Sequence, residues 1–331
     1  MCSPDLKYDG PAWKYDLNQA YAAAMRETWL PAGRCIRTRE FHPYAHCAIY
    51  KISARKRGDK TPFYLCSEDG IAMAVFGEIV RSWVTSSELE QLKAERWAIE
   101  IHEGYFWDDK FAMTEYVNRL ETLRMNAPGG PKSAQGEMLK AVGNNSYGKT
   151  VEELGGYELV MAATRPEGFF NYNDIDDENL QHIWFRFGVP QMREYHQPQI
   201  GAFITAHVRM VVRRAILKNP EKWLYADTDC VMFSCAVDLP IDPKVYGKWK
   251  IEAENEDFLV IAKKVYAMRD GSEMKVKGMN VKRLSMRDFE KWYDGEPPEQ
   301  TQTQRQNFVA VMSGHDMFVT RRKVGQRKAA V

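Results

Sequence analysis

The segment 224–233, LYADTDCVMF, constrains this chain more than any other stretch of its sequence. Apolar residues on both sides favour burial as strands, and the Asp-Thr-Asp between them is turn chemistry. The expected product is a β-hairpin with Asp227 and Asp229 at its apex. Two carboxylates on a half-buried edge repel one another and are costly unless a cation neutralises them. Hard divalent ions take oxygen ligands of this kind, and Mg²⁺ keeps its other positions for water and phosphate oxygens. The plainer alternative is a turn that simply favours aspartate.

Asp16 sharpens the reading. It ends a first predicted strand (12–17, AWKYDL), just before an alanine-rich helix (18–27). If this strand pairs with the hairpin, three acids meet at neighbouring strand ends, an arrangement that holds two metal ions roughly 3.5–4 Å apart. One ion would lower the pKa of an attacking hydroxyl and the other would stabilise a leaving pyrophosphate. Taken alone, Asp16 is equally a solvated cap for the next helix. A third element is MLKAVGNNSYGKT (138–150), in which Lys140, Asn144 and Tyr147 share one helix face. A cation, an amide and an aromatic ring in line suit a nucleotide, and Gly148 lets the chain leave close to a ligand. An amphipathic helix ended by glycine produces the same string without a ligand.

Elsewhere the pattern alternates between strands and helices. Residues 31–83 are strand-like, with IYKI and FYLC separated by RKRGDK, and Ser86 and Ser87 precede a capped helix. Two helical patterns, 112–126 and 133–145, are broken by APGG (127–130) and predict a helical hairpin. An irregular, strand-rich stretch (150–198) leads to a helix at 200–218 and strands at 223–225 and 230–234. Further strands are expected near 259–267 and 273–279, a helix near 286–293, and a flexible connection at GEPPEQ (295–300).

With 331 residues the chain can form several lobes. It has no run of about 20 apolar residues to span a bilayer and no secretory start, so a cytoplasmic protein without a membrane partner is expected. Its six cysteines form no C-x-x-C pair, which suits a reducing compartment. His42, His46 and Cys47 in FHPYAHC lack a second ligand pair with zinc spacing, which favours a partly buried loop over a metal site. The net charge of +1 does not announce nucleic-acid binding, but its distribution is uneven. Acids gather at 174–178 and 252–257. Cations gather at Arg209, Arg213 and Arg214, at Lys263 and Lys264, at Lys275, Lys277, Lys282 and Arg283, and in the tail 321–328. Cations lining one groove can hold a phosphate backbone.

In the order seen here, YDLNQAYAAA, KAVGNNSYG and YADTDC resemble the three polymerase motifs of B-family DNA polymerases, approximately D-x-x-S-L-Y-P, K-x-x-x-N-S-x-Y-G and Y-x-D-T-D-S. AKKVYAM (262–268) resembles the family's K-x-Y motif. GAFITAHVRM (201–210) is similar to the segment before the hairpin in the protein-primed, phage-type branch. GKWKIEAENEDFLVIAKKVY and KVKGM follow in the same order, so the resemblance covers almost the whole chain.

The resemblance implies an α/β (α+β) right-hand polymerase fold of palm, fingers and thumb around an antiparallel palm sheet. The palm would combine 1–30 and 199–285, and the fingers would be the hairpin 111–149. Residues 31–110 and 150–198 would be the first and second insertions of the protein-primed branch, and 286–331 the thumb and basic tail. Asp16 and Asp229 would be the main metal ligands with the Leu17 carbonyl, and Asp227 their helper. Tyr21 would lie under the incoming sugar and exclude a 2′-hydroxyl. Lys140 would bind the triphosphate, Asn144 and Tyr147 would line the nascent base pair, and Lys132 is a weaker phosphate candidate. Lys264 and Tyr266 would hold the primer strand, with Gly148 and Lys277 as further DNA contacts.

The cofactor implied is Mg²⁺, two ions, with Mn²⁺ as substitute. Partners would be primer-template DNA, dNTPs, and a terminal priming protein or a separate exonuclease or replication subunit. The sequence departs from the family at Gln19, Ala20, Ala22 and Cys230, and has Asn145 and Ser146 in the S-x slots, yet it keeps every acid, lysine and tyrosine of the motifs. Family members carry a 3′–5′ exonuclease domain ahead of the first motif, where this sequence has 15 residues before Asp16. The expectation is therefore a chain with no exonuclease domain and no intrinsic proofreading. A polymerase specialised for lesion bypass or de novo priming is the alternative. A non-catalytic, polymerase-like DNA-binding subunit fits less well, because all three acids are present.

Overall fold

A computed structural model describes residues 7–59, 61–66, 72–152, 166–168, 194–262, 264–277 and 279–298. It also gives the backbone of strands at 157–161, 170–171, 183–187, 300–305 and 319–324. The acidic run 174–178, Lys263 and the end of the basic tail lie outside the described residues.

In chain order the elements are β1 (Tyr8–Leu17), α1 (Ala20–Glu27), β2 (Leu30–Thr38), β3 (Ala48–Arg55), β4 (Phe63–Cys66), β5 (Ala72–Val75) and β6 (Glu78–Thr85). Next come α2 (Ser86–Ala94), β7 (Ala98–Phe111), α3 (Thr114–Met125), α4 (Ala134–Thr150), β8 (Tyr157–Met161), β9 (Phe170–Asn171) and β10 (Ile183–Phe187). The remainder comprises α5 (Pro198–Ile216), β11 (Trp223–Asp227), β12 (Cys230–Phe233), β13 (Trp249–Ala262), β14 (Val265–Met268), β15 (Met274–Val276), α6 (Met286–Tyr293), β16 (Gln300–Arg305) and β17 (Val319–Val324).

Six strands form one sheet in the order β11-β12-β1-β13-β14-β15, and each pairing is antiparallel. Side chains alternate between its faces, as strands require. Tyr15, Leu17, Ala226, Val231, Phe233 and Trp249 point into one core with α1 and α5. Ala12, Tyr225, Met232, Phe258 and Tyr266 pack on the opposite side. α5 suits its place: Phe203, Ile204, Val208 and Val212 recur at helical spacing and are buried, and Pro198 opens the helix where a missing N–H costs nothing.

A second sheet, β2-β7-β3-β6, packs on α2 around Tyr50, Ile52, Ile79, Val84, Leu89 and Leu92. Here the sequence-based boundaries need correction. β6 runs directly into α2, so the cap is Thr85, whose N–H donates to the Glu88 carboxylate at 2.8 Å; Ser86 and Ser87 are already helical. The 14-residue strand β7 was not expected. It pairs with both β2 and β3, which holds its acidic and glycine-containing sequence extended. β13 likewise begins ten residues before the expected strand, because pairing with β1 draws the acidic run 252–257 into the sheet.

α3 and α4 form the expected helical hairpin, spanning 114–150, with Ser133 capping α4. α4 continues through Gly148 to Thr150, so this glycine is not a stop. No helix among the described residues is long and apolar enough to cross a membrane.

α5 joins the two sheets. Arg213 is 0% exposed, bonds Glu95 at 2.5 and 2.7 Å and the Pro62 carbonyl at 2.6 Å, and reaches Asp59 at 3.3 Å. One turn earlier, Arg209 bonds Glu88 at 2.7 Å. Removing one member of a buried ion pair costs about 3–5 kcal/mol, because the other charge stays buried. Arg213→Ala is therefore expected to lower stability by that order in denaturant unfolding. Arg213→Lys, which keeps the charge but loses the fork, should fall between it and the parent. Unchanged midpoints for both variants contradict a clamp at Arg213.

Candidate active site

Asp16 and the hairpin aspartates meet at one end of the six-stranded sheet. Asp16 is the register partner of Cys230 on β12 and of Lys250 on β13, and Asp227 is opposite Cys230 on the other side. Asp16 lies two residues from Lys14, and Asp227 two from Tyr225, so by strand alternation both face away from the core that holds Tyr15, Leu17 and Ala226.

The apex is unusually tight. The Asp229 N–H donates to the Asp227 carbonyl at 2.7 Å, a γ-turn across Thr228, which sits at φ 60°. A β-branched residue there is strained, at a cost on the order of 1–3 kcal/mol. The Leu17 N–H donates to the Asp229 carbonyl at 2.8 Å and so ties the apex to the end of β1.

The electrostatics follow from this closeness. Burial, then the charge of Asp16, push the Asp229 carboxyl up to about 6. Burial also raises Asp16, against the pull of Lys250. Lys250 Nζ lies 2.9 Å from Asp16, and Lys264 Nζ 3.2 Å from Asp227. Asp229 has no ion pair among the described residues. Lys264 itself sits at φ 61° in the turn between β13 and β14.

From the helical hairpin, Tyr147 on α4 stacks on Tyr21 of α1, with ring centroids 4.2 Å apart and planes 21° apart. Burial and the Tyr147 contact push the Tyr21 phenol well up, and the charge of Asp229 adds to the shift. Lys140 and Asn144 lie on the same helix, partly exposed; Lys140 is 3.9 Å from Glu137.

Other expected residues are placed less centrally. Lys132 is exposed in the turn before α4, Gly148 lies within α4 with open space where a Cβ would be, and Lys277 is exposed and donates its N–H to the Lys264 carbonyl at 3.1 Å. Tyr266 is 1% exposed, with its hydroxyl on Glu273 at 3.0 Å, so its ring has no free face for a strand. Lys264 is the accessible member of that motif. His42 stacks on Phe106, and the Cys47 thiol is buried and donates to the Trp29 carbonyl, as a loop requires.

The residues not anticipated are Lys14, Lys250, Glu252 and Glu273. Lys14 is 5% exposed and bonds Glu273 at 2.6 Å and Glu252 at 3.0 Å, and Lys250 bonds Glu252 at 3.2 Å. The available signal was K-I-E at 250–252, which places a cation and an acid on one strand face.

Among the described residues, no three His, Cys, Asp or Glu side chains gather into a metal site. The expected cage of three acids is thus not closed: lysines hold Asp16 and Asp227. A divalent cation nevertheless fits the donor set of Asp16, Asp229 and the Leu17 carbonyl. Asp229 is half-buried, and burial together with the charge of Asp16 disfavours its ionised form, a deficit that a cation relieves.

The comparisons agree with the geometry. The model of the family described as DNA polymerase type B, organellar and viral, matches residues 2–182, and the chain belongs to that family. The DNA-directed DNA polymerase of Enterobacteria phage PRD1 is 30% identical over 136 residues, 40% of this chain and 24% of that protein. The DNA polymerase of Streptococcus phage Cp-1 is 25% identical over 298 residues, 80% of this chain and 48% of that one. This chain therefore spans half or less of either relative. Phi29 DNA polymerase complexed with primer-template DNA and incoming nucleotide substrates superposes with TM-score 0.69 at 16% identity, over 98% of this chain and 60% of that one. Its binary complex with primer-template DNA gives TM-score 0.67 at 17% identity, over 96% and 58%. The fold is that α/β polymerase fold.

The raised Asp229 carboxyl has a consequence for stability. The folded chain binds this proton more tightly than the unfolded chain, whose value is the ordinary 3.8. Metal-free stability therefore falls as pH rises from about 4 to about 6, then stays lower. Asp229→Asn removes the ionisation and is expected to stabilise the metal-free protein at pH 7.5 by on the order of 2–3 kcal/mol. Near pH 4 it should change little. Denaturant unfolding across that range checks it, and equal effects at both ends contradict it.

Proposed function

We propose that this chain carries out template-directed addition of deoxynucleotides to a primer 3′-hydroxyl. The observation that carries the reading is the register of β1 on β12, which sets Asp16 beside the Asp227–Asp229 turn, in a chain that belongs to the type B polymerase family.

In this reading the six-stranded sheet is the palm, formed by 1–30 and 199–285, and the α3–α4 hairpin is the fingers, 111–149. The insertions are 31–110 and 150–198, and the thumb with its basic tail is 286–331. Primer-template DNA and dNTPs are the substrates. A terminal protein or another replication subunit is the further partner that the phage-type motifs suggest.

Asp16 and Asp229, with the Leu17 carbonyl, would hold divalent cations, two Mg²⁺ or Mn²⁺. Bound there, such cations would lower the pKa of the primer hydroxyl and would neutralise charge on the triphosphate. The protein's own share is positioning, the main contribution in phosphoryl transfer. The stacked Tyr21 and Tyr147 form a flat floor for the sugar and base of an incoming nucleotide, and a ring at that level leaves no room for a 2′-hydroxyl. Lys140 projects its ammonium from the same helix towards the phosphates, and Asn144 contributes an amide to the edge of the new pair. Lys264 neutralises Asp227 and offers its ammonium to the primer backbone.

Primer extension tests the reading. Asp229→Asn keeps the shape of the turn and removes the charge, and is expected to abolish extension by several orders of magnitude with the circular dichroism unchanged. Lys140→Ala is expected to raise the KM for dNTP with little change in DNA affinity. Near-normal extension by Asp229→Asn overturns the site.

A further inference from the structure

None of the roles that the polymerase motifs imply falls on Lys250. It is the cross-strand partner of Asp16, with its ammonium 2.9 Å from Asp16 Oδ2 and 3.2 Å from Glu252 Oε1. Glu252 is held in turn at its other oxygen by the buried Lys14, 3.0 Å away, and Lys14 is anchored by Glu273 at 2.6 Å. Glu273 ends the row on the Tyr266 hydroxyl at 3.0 Å. Charges therefore alternate along one face: Asp16, Lys250, Glu252, Lys14, Glu273. The β1–β13 register shifts on both sides of Lys14, and such a bulge adds a residue that re-aims side chains. Glu252 falls at this irregularity, which lets it face both lysines.

Lys14 and Lys250 differ in freedom. The Lys14 side chain is 6% exposed and enclosed by two acids, whereas that of Lys250 is 36% exposed. A lysine ammonium on a flexible stem, shared between two carboxylates, can leave one without losing the other. A divalent ion approaching Asp16 Oδ2 competes with an ammonium 2.9 Å away, because two cations sharing one carboxylate repel one another.

We infer that Lys250 is the resident counter-cation of Asp16, a positioning residue that orients this carboxylate and withdraws to Glu252 when a divalent ion arrives. Glu252 is its second seat, and Lys14 fixes that seat in place. Lys250 thereby sets the affinity of the site for metal, and Glu252 opposes it by drawing the ammonium away. This inference rests on the proposed metal-binding role of Asp16 and Asp229.

The two acids and the lysine give opposite expectations, which a merely structural role does not. Binding of Mn²⁺ to the intact chain, without DNA, is read from the electron paramagnetic resonance of the free ion. Lys250→Met removes the competitor and is expected to tighten the Mn²⁺ Kd about fivefold, the scale of one partly exposed charge pair. Glu252→Gln leaves Lys250 only Asp16 as a full carboxylate, and is expected to weaken the Kd by a similar factor. Asp229→Asn should remove the site. If the parent binds Mn²⁺ and Asp229→Asn does not, but Lys250→Met is unchanged or weaker, the role of Lys250 is overturned and the site stands. If both variants at 250 and 252 shift the Kd in the same direction, the inference also falls. If Asp229→Asn binds as the parent does, the proposed site falls, and the role of Lys250 with it.

Discussion

Asp16 and Asp229 are kept close together by main-chain bonds that neither carboxylate can escape. The Leu17–Asp229 bond and the γ-turn at Thr228 fix the apex, and the pairing of β1 with β12 and β13 fixes Asp16. Burial, and then the resulting repulsion, raise Asp229. Such an arrangement persists only when the surrounding structure over-determines it. The surrounding structure here is the apolar face of the same strands, where Tyr15, Leu17, Val231 and Phe233 are buried against α5. Asp16 lies near the end of β1 and Asp229 in the two-residue turn between β11 and β12, positions that a packed sheet holds more firmly than a long loop would.

The same economy governs the neighbours of the site. α5 lends one face to the core under the sheet, and through Met210 and Arg213 it also joins the second sheet. Arg209, on the same helix, lowers the Tyr21 phenol slightly against the larger effect of burial while it is bonded to Glu88. The second sheet, α5 and the stacked Tyr21–Tyr147 pair are thus linked through few side chains. Lys250 and Lys264 moderate the acids in a protein free of metal, each by one ion pair.

Much of this was legible in the sequence where chemistry is local. The hairpin around Asp227 and Asp229, the strand ending at Asp16 and the α3–α4 hairpin all followed from period, turn residues and order of motifs. What escaped depends on pairing partners. β7 carries an acidic stretch with a glycine and is a strand because β2 and β3 flank it. Residues 252–257 read as an acidic patch, yet β1 holds them extended. Gly148 read as a stop, yet α4 continues two residues further, to Thr150, whose carbonyl accepts from the Gln197 N–H. Tyr266 matched a motif for primer contact, but its neighbours Tyr225 and Phe258 enclose it, a fact that only packing reveals. Lys250 and Glu252 were visible as letters, and their meaning came from the register that sets Lys250 opposite Asp16.

The most direct test of the account is to locate bound ions. Crystals of the chain with a primer ending in a 3′-deoxy sugar, template, matched dNTP and Mn²⁺ would be measured at the manganese absorption edge. The account predicts anomalous peaks between the Asp16 and Asp229 carboxylates, with the Lys250 ammonium turned to Glu252. Peaks elsewhere, or Lys250 still seated on Asp16 with no ion at Asp229, would contradict it.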